Sequence, residues 1–189
     1  MPELPEVEIL VRHLSPLLKD KTIRQVEVRR PKVLSPTNPR HFARVLRGAR
    51  FTGVSRRGKY LLFVLRRAGQ REPMILLGHL GMTGRIYLQP QNGTLPRHAA
   101  AIFNLGKMNL IYEDTRYFGR MTLDTSALTR LGPEPLSANF VVADFAMALK
   151  RSPQAIKVKL LDQSFIAGVG FAARWTSALL WNGDFRVRL

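Results

Sequence analysis

Cysteine is absent from all 189 residues, which excludes disulfides, thiol catalysis and Cys-ligated zinc. Acidic residues are scarce: 13 Asp and Glu stand against 30 Lys and Arg, a formal charge of +17. A surplus of that size selects a polyanionic partner, nucleic acid before others. The alternative is a solvated basic surface or a membrane-facing patch. No apolar run approaches the roughly 18 residues of a transmembrane helix, so a spanning segment is excluded. Met1-Pro2-Glu3-Leu4-Pro5-Glu6 has neither the basic start nor the apolar stretch of a secretory signal, so a cytoplasmic location is expected. Repeats and low-complexity tracts are also lacking. What is present is an ordinary globular balance, 46% hydrophobic and 23% charged, which excludes wholesale disorder.

The chain reads as strands first and helices last. A helix is expected from Pro5, with Val7, Leu10, Val11 and Leu14 on one face and Pro16 ending or kinking it. Strands are expected at 23–29, 50–55, 59–65, 74–78, 85–88, 100–104, 109–113 and 118–123, with Leu105-Gly106-Lys107 as a hairpin turn. Leu131-Gly132-Pro133-Glu134-Pro135-Leu136 is a break, after which the period becomes helical. One helix is expected over 139–149, burying Phe140, Val141, Phe145 and Leu149. A second, started by Ser152-Pro153, runs to Asp162 with Ile156, Leu160 and Leu161 inward. The fold class expected is α+β: a two-sheet antiparallel β-sandwich with an N-terminal helix at 1–130, then a helical module at 131–189.

The chain start has a chemical reading. Removal of Met1 would expose the secondary amine of Pro2, and an α-amino group titrates near pH 7.7–8, so part of it is an unprotonated nucleophile at neutrality. Glu3 beside it could move protons. The alternative is that Pro2 and Pro5 stiffen a helix start that Glu3, Glu6 and Glu8 favour electrostatically. Yet three of only 13 acids crowd into the first eight residues of a strongly basic chain.

Pro2-Glu3-Leu4-Pro5-Glu6-Val7-Glu8 resembles the N-terminal signature of the formamidopyrimidine-DNA glycosylases, base-excision repair enzymes that remove oxidised purines. The similarity continues in order through Arg57-Gly58-Lys59-Tyr60-Leu61-Leu62, His79-Leu80-Gly81-Met82, Asp114-Thr115-Arg116-Tyr117-Phe118-Gly119, Leu131–Leu136, Ile156-Lys157 and Leu161-Asp162-Gln163 to Gly168-Val169-Gly170. The resemblance implies that Pro2 attacks C1′ of the damaged nucleotide to give a Schiff base, that Glu3 is the proton donor and that Lys59 assists strand elimination. It implies that Met82, Arg116 and Phe118 fill the space left by an extruded base, whose unstacking costs a few kcal/mol. His98 matches a DNA-contacting histidine and Lys157 a phosphate-binding lysine, with Arg151 able to act alike. Taken singly, Met82 and Phe118 could be core residues, His98 an exposed loop histidine, and Lys59, Arg151 and Lys157 solvated charges.

After Gly170 the similarity stops. The family's Asn-Ile-Tyr is replaced by Phe171-Ala172-Ala173, and the chain ends nineteen residues after Gly170, the pattern of a frameshift or a truncated gene. The expectation is a C-terminally truncated copy with a partial helix-two-turn-helix module. The family zinc finger would be missing and no cofactor expected. Phe165, Ile166, Trp175, Leu179, Leu180 and Trp181 are expected to expose apolar surface. The expected partner is double-stranded damaged DNA, bound by a monomer away from membranes. The function expected is an oxidised-purine glycosylase with AP-lyase activity; the alternatives are a catalytically impaired DNA-binding remnant and a generic basic nucleic-acid-binding module.

Overall fold

The computed structural model describes residues 2–170. The chain divides into two compact units between Thr125 and Ser126. The first begins with helix α1 (Leu4–Leu18), opened by a capping box in which Glu3 and Glu6 bond each other's backbone N–H, with Pro5 in the first turn. Val7, Val11, Leu14 and Leu18 recur on its buried face. Pro16 does not itself end the helix, which runs two residues further to Leu18. Pro16 itself is exposed, and burial of Leu14 and Leu18 on either side of it holds the last turn in place.

Two four-stranded antiparallel sheets follow. One has the order β1 (Gln25–Val28), β6 (Ala99–Asn104), β7 (Met108–Glu113), β5 (Arg85–Pro90); the other runs β2 (Arg50–Arg57), β3 (Tyr60–Arg66), β4 (Met74–His79), β8 (Arg120–Thr122). Their inner faces meet in one core built on Phe51, Phe63, Phe103, Leu61, Leu65, Leu110 and Tyr112. Helix α1 packs along the edge strand β2. The Leu105-Gly106-Lys107 turn forms as read, with Gly106 at φ +99° and its N–H bonded to the Asn104 side chain.

One helix was not foreseen among the strands: α2 (Pro39–Leu46), capped by Asn38, whose side chain accepts from the N–H groups of Arg40 and His41. It buries Phe42 and Leu46. The expected strand at 118–123 shortens to Arg120–Thr122 because the preceding amides are bonded elsewhere, as described below.

In the second unit, a 3₁₀ turn (Ser126–Arg130) precedes α3 (Val142–Lys150) and α4 (Ile156–Leu161). Both helices start later than the sequence suggests, because serines divert the backbone into turns. Phe140 N–H bonds Ser137 O, and the hydroxyls of Ser137 and Ser152 accept from Asn139 and Gln154 N–H. Phe140 therefore lies outside the helix and Val141 is exposed, while Leu161 is exposed rather than inward. Ile166 is buried, against expectation, and Phe165 is half-buried under Lys159 and Phe145. Trp175, Leu179, Leu180 and Trp181 lie outside the described residues.

Candidate functional site

Strand register gathers the chemistry at one end of the sandwich. Tyr60 pairs with His79 and His79 with Arg120 in one sheet; Arg85 and Ala99 both pair with Glu113 in the other. The β2–β3 turn, the β4–β5 turn, the start of β6 and the β7–β8 loop therefore share that end. They carry Lys59, Met82, His98, and Arg116 with Phe118, respectively.

Glu3 and Lys59 are buried polar groups at this end, 5% and 7% exposed. Gly58, at φ +56°, makes the tight turn that turns the chain back into β3 at Lys59. Burial pulls the Lys59 ammonium below the ordinary lysine range, and the charge of nearby Glu3 opposes that. Lys59 is thus no solvated surface charge: it is a desolvated amine within electrostatic reach of a carboxylate. Pro2 is half-buried at the head of α1.

An ion pair fixes this meeting. Glu8, one turn into α1, accepts from Arg56 Nε at 3.0 Å and from Arg12 Nε at 2.8 Å, and Arg56 Nη1 also donates to Gly58 O at 3.0 Å. These bonds to Arg12 and Arg56 hold the Glu8 carboxyl below its usual range. The pair ties the helix carrying Pro2 and Glu3 to the turn carrying Lys59. Because the Arg56 side chain is only 7% exposed, Glu8→Gln is expected to cost about 1–2 kcal/mol in urea unfolding, between an exposed and a buried pair. An unchanged midpoint would show that the pair does not tie these elements.

A second buried carboxylate organises the turns that carry Met82, Arg116 and Phe118. Asp114 is fully buried; its Oδ1 accepts from Thr83 Oγ1 at 2.6 Å and Arg116 N at 3.1 Å, and its Oδ2 from Gly119 N at 2.8 Å. Burial alone would raise its pKa, but the bonds from Thr83, Gly119, Arg116 and Tyr117 outweigh it and hold the group low. One side chain thus anchors both the β4–β5 turn and the β7–β8 loop. Gly81, at φ +60°, has room for no Cβ: the added atom would lie 2.5 Å from Gly119 N. On these fastened turns Met82 and Phe118 stand 44% and 50% exposed, and the Arg116 guanidinium lies 4.9 Å from the Phe118 ring centroid. Neither apolar side chain is part of the core.

His79 accepts the Gly81 N–H on Nδ1 at 3.2 Å, and burial, with Lys59 and Arg120 adding to it, keeps its pKa low. A neutral ring is what that bond requires. His98 is half-buried, with Nδ1 3.4 Å from the Tyr117 hydroxyl. Arg151 and Lys157 belong to the second unit, at the C-terminal cap of α3 and the start of α4, both exposed. Arg56 and Thr83 lie outside the motifs read from the sequence, and Glu8, His79 and Asp114 lie within them without a site role assigned to them. Only Asp114 carried a local signal, an Asp opening a turn. Among the described residues no group of three or more His, Asp or Glu could hold a metal ion, and no helix is long and apolar enough to cross a membrane.

The sequence model of the formamidopyrimidine-DNA glycosylase N-terminal domain matches residues 1–121. A formamidopyrimidine-DNA glycosylase of Listeria monocytogenes is 40% identical over 178 residues, covering 90% of this chain and 63% of the relative. One from Heliobacterium modesticaldum is 43% identical over 181 residues, covering 90% and 64%. The chain therefore spans a little under two thirds of the length of these relatives. Among solved structures, wild-type Lactococcus lactis Fpg (MutM) in complex with DNA containing N7-benzyl-Fapy-dG aligns at TM-score 0.83 and 30% identity, covering 95% of this chain and 66% of that one. The complex of Lactococcus lactis Fpg with DNA containing an abasic site aligns at 0.80 and 31%, covering 89% and 63%.

Proposed function

The chain belongs to the formamidopyrimidine-DNA glycosylase family, and from that premise we propose that it removes oxidised purines such as formamidopyrimidines and 8-oxoguanine from duplex DNA and cleaves the strand at the resulting abasic site. The observation that carries the reading is the pairing, at one end of the sandwich, of the buried Glu3–Lys59 site with the exposed Met82, Arg116 and Phe118 on loops fastened by Asp114.

With Met1 removed, the Pro2 nitrogen attacks C1′. The C1′–base bond breaks, and the base leaves with its electron pair and takes up the proton that the Pro2 nitrogen sheds on bonding C1′. Glu3 delivers a proton to the ring oxygen as the sugar opens, leaving an iminium between Pro2 and C1′. Loss of a C2′ proton then expels the 3′ phosphate, and water releases Pro2 from the sugar remnant. Lys59 assists the elimination step, a role its desolvation and lowered pKa support. Met82 and Phe118 occupy the gap in the stack while Arg116 faces the base left behind. His98, and Arg151 and Lys157 on the second unit, contact phosphates. The protein acts as a monomer, without a cofactor, in the cytoplasm where the chromosome lies.

The test is a pair of variants on duplexes carrying 8-oxoguanine or a preformed abasic site. Glu3→Gln is expected to lose base release by 100-fold or more on the scale of about 10²–10⁴ for general acid catalysis, with duplex binding retained. Lys59→Ala is expected to lower base release and strand cutting unequally. Salt-sensitive duplex binding by wild type with no turnover on either substrate would replace this reading with the DNA-binding remnant.

A further inference from the structure

Arg29 and Arg30 are neighbours with opposite fates. Both donate their backbone N–H to Ala100 O, at 2.9 and 3.1 Å, which fastens the segment after β1 beside the start of β6. The Arg29 guanidinium is then taken by Glu27 at 2.7 Å. That of Arg30 is not taken by any carboxylate among the described residues. Its Nε donates to the Tyr117 hydroxyl at 3.1 Å, and its guanidinium carbon lies 5.5 Å from the Tyr117 ring centroid. His98 approaches the same ring from β6, with Nδ1 3.4 Å from the hydroxyl and ring centroids 6.5 Å apart. Tyr117 stands between the wedge residues Arg116 and Phe118, at φ +55°, with its N–H held by Asp114. Three separate segments thus converge beside the wedge.

The donors left over define the ligand. The phenol oxygen accepts from Arg30 Nε, so its proton is free for His98 Nδ1, a tautomer that leaves Nε2–H as a donor. The Arg30 Nη groups add a cation with parallel N–H donors on an exposed side chain. With only donors presented and a guanidinium that no carboxylate among the described residues takes, the fitting ligand is an oxyanion held at two oxygens. We propose that Arg30, Tyr117 and His98 form a phosphate-binding cluster that takes a backbone phosphodiester of the duplex flanking the wedge. Arg30 is the charged contact and Tyr117 the positioning residue that aims it. The proposal rests on the DNA-binding reading above and extends it to two residues outside the motif roles already assigned.

The experiment is fluorescence anisotropy against salt concentration, using an undamaged duplex and one containing a tetrahydrofuran abasic analogue. Arg30→Ala is expected to bind both duplexes on the order of tenfold more weakly at low salt, with the log–log salt slope smaller by about 0.9, one phosphate's worth. Arg30→Lys keeps the slope but loses part of the affinity, because its ammonium cannot lie on the ring and bond the phenol together. Tyr117→Phe keeps the ring, loses the aim and binds with intermediate affinity. A wild-type slope for Arg30→Ala, or an affinity loss matched by lost thermal stability with the slope unchanged, overturns the cluster while leaving the proposed function standing. Absence of salt-dependent duplex binding by wild type overturns both.

Discussion

Asp114→Asn is expected to cost about 3 kcal/mol of unfolding free energy and to abolish most base release, although it changes one atom in a residue that touches no substrate in the proposed reaction. Asp114 Oδ2 accepts from Gly119 N at 2.8 Å. In the Asn variant, if Oδ1 keeps Thr83 and Arg116, the new amide points N–H groups at an N–H. A lost charge-assisted bond is worth about 1.5–3 kcal/mol, and a buried donor left unpaired adds about 1–3 more. The alternative flip moves the same defect to Thr83 and Arg116. Met82, Arg116 and Phe118 ride on the two loops that Asp114 fastens, so their positions loosen with it. The pH dependence has a definite sign. The folded-state pKa of Asp114 is depressed, so its contribution is present above the unfolded value, about 3.9, and is lost as pH falls through the folded value. Urea melts between neutrality and about pH 3 are therefore expected to show wild type losing stability that Asp114→Asn never had, the two curves converging at the acid end. Equal stability of the two proteins at neutral pH would remove Asp114 from its role as the anchor of these two loops.

The parts of this molecule that were legible in the sequence are those set by period and local chemistry. The short β-rich apolar runs Tyr60–Leu65 and Leu110–Tyr112 announce strands, and Pro5 with Glu3 and Glu6 announces the helix start. What was not legible depends on where backbone groups find partners. The segment Thr115 to Gly119 looks like the approach to a strand, but its amides go to a side chain, Asp114, and the strand begins only at Arg120. Helix α2 carries its own Asn38–Pro39 start signal, yet eight residues with a period that short are lost among flanking strands. For the site, the motifs named Pro2, Glu3, Lys59, Met82, Arg116 and Phe118, and the fold gathers them at one end of the first unit. The joining roles of Glu8, Arg56 and Asp114 are not legible in the motifs, because Arg56 lies 48 residues from Glu8 and Thr83 lies 31 from Asp114, and only the folded register brings each pair together.

The second large effect concerns the amine. Pro2 and Lys59 are both nitrogen nucleophiles at the same end of the sandwich, and both are candidates for a Schiff base by position alone. Protonation favours Pro2: an α-amine titrates at about 7.7–8, a lysine near 10.4. Burial lowers Lys59, but Glu3 opposes that shift. A secondary amine also gives an iminium that carries its positive charge at every pH, the electron sink that elimination needs. Acetylating the α-amine is therefore expected to abolish covalent capture of an abasic site, and Pro2→Gly to reduce it, while Lys59→Ala leaves capture in place and slows strand cutting. The direct measurement is borohydride reduction of the protein on abasic duplex DNA, followed by protease digestion and mass spectrometry of the adduct. The account predicts a sugar remnant on the peptide that begins at Pro2. An adduct on Lys59, or no adduct on a protein that binds the duplex, would contradict it.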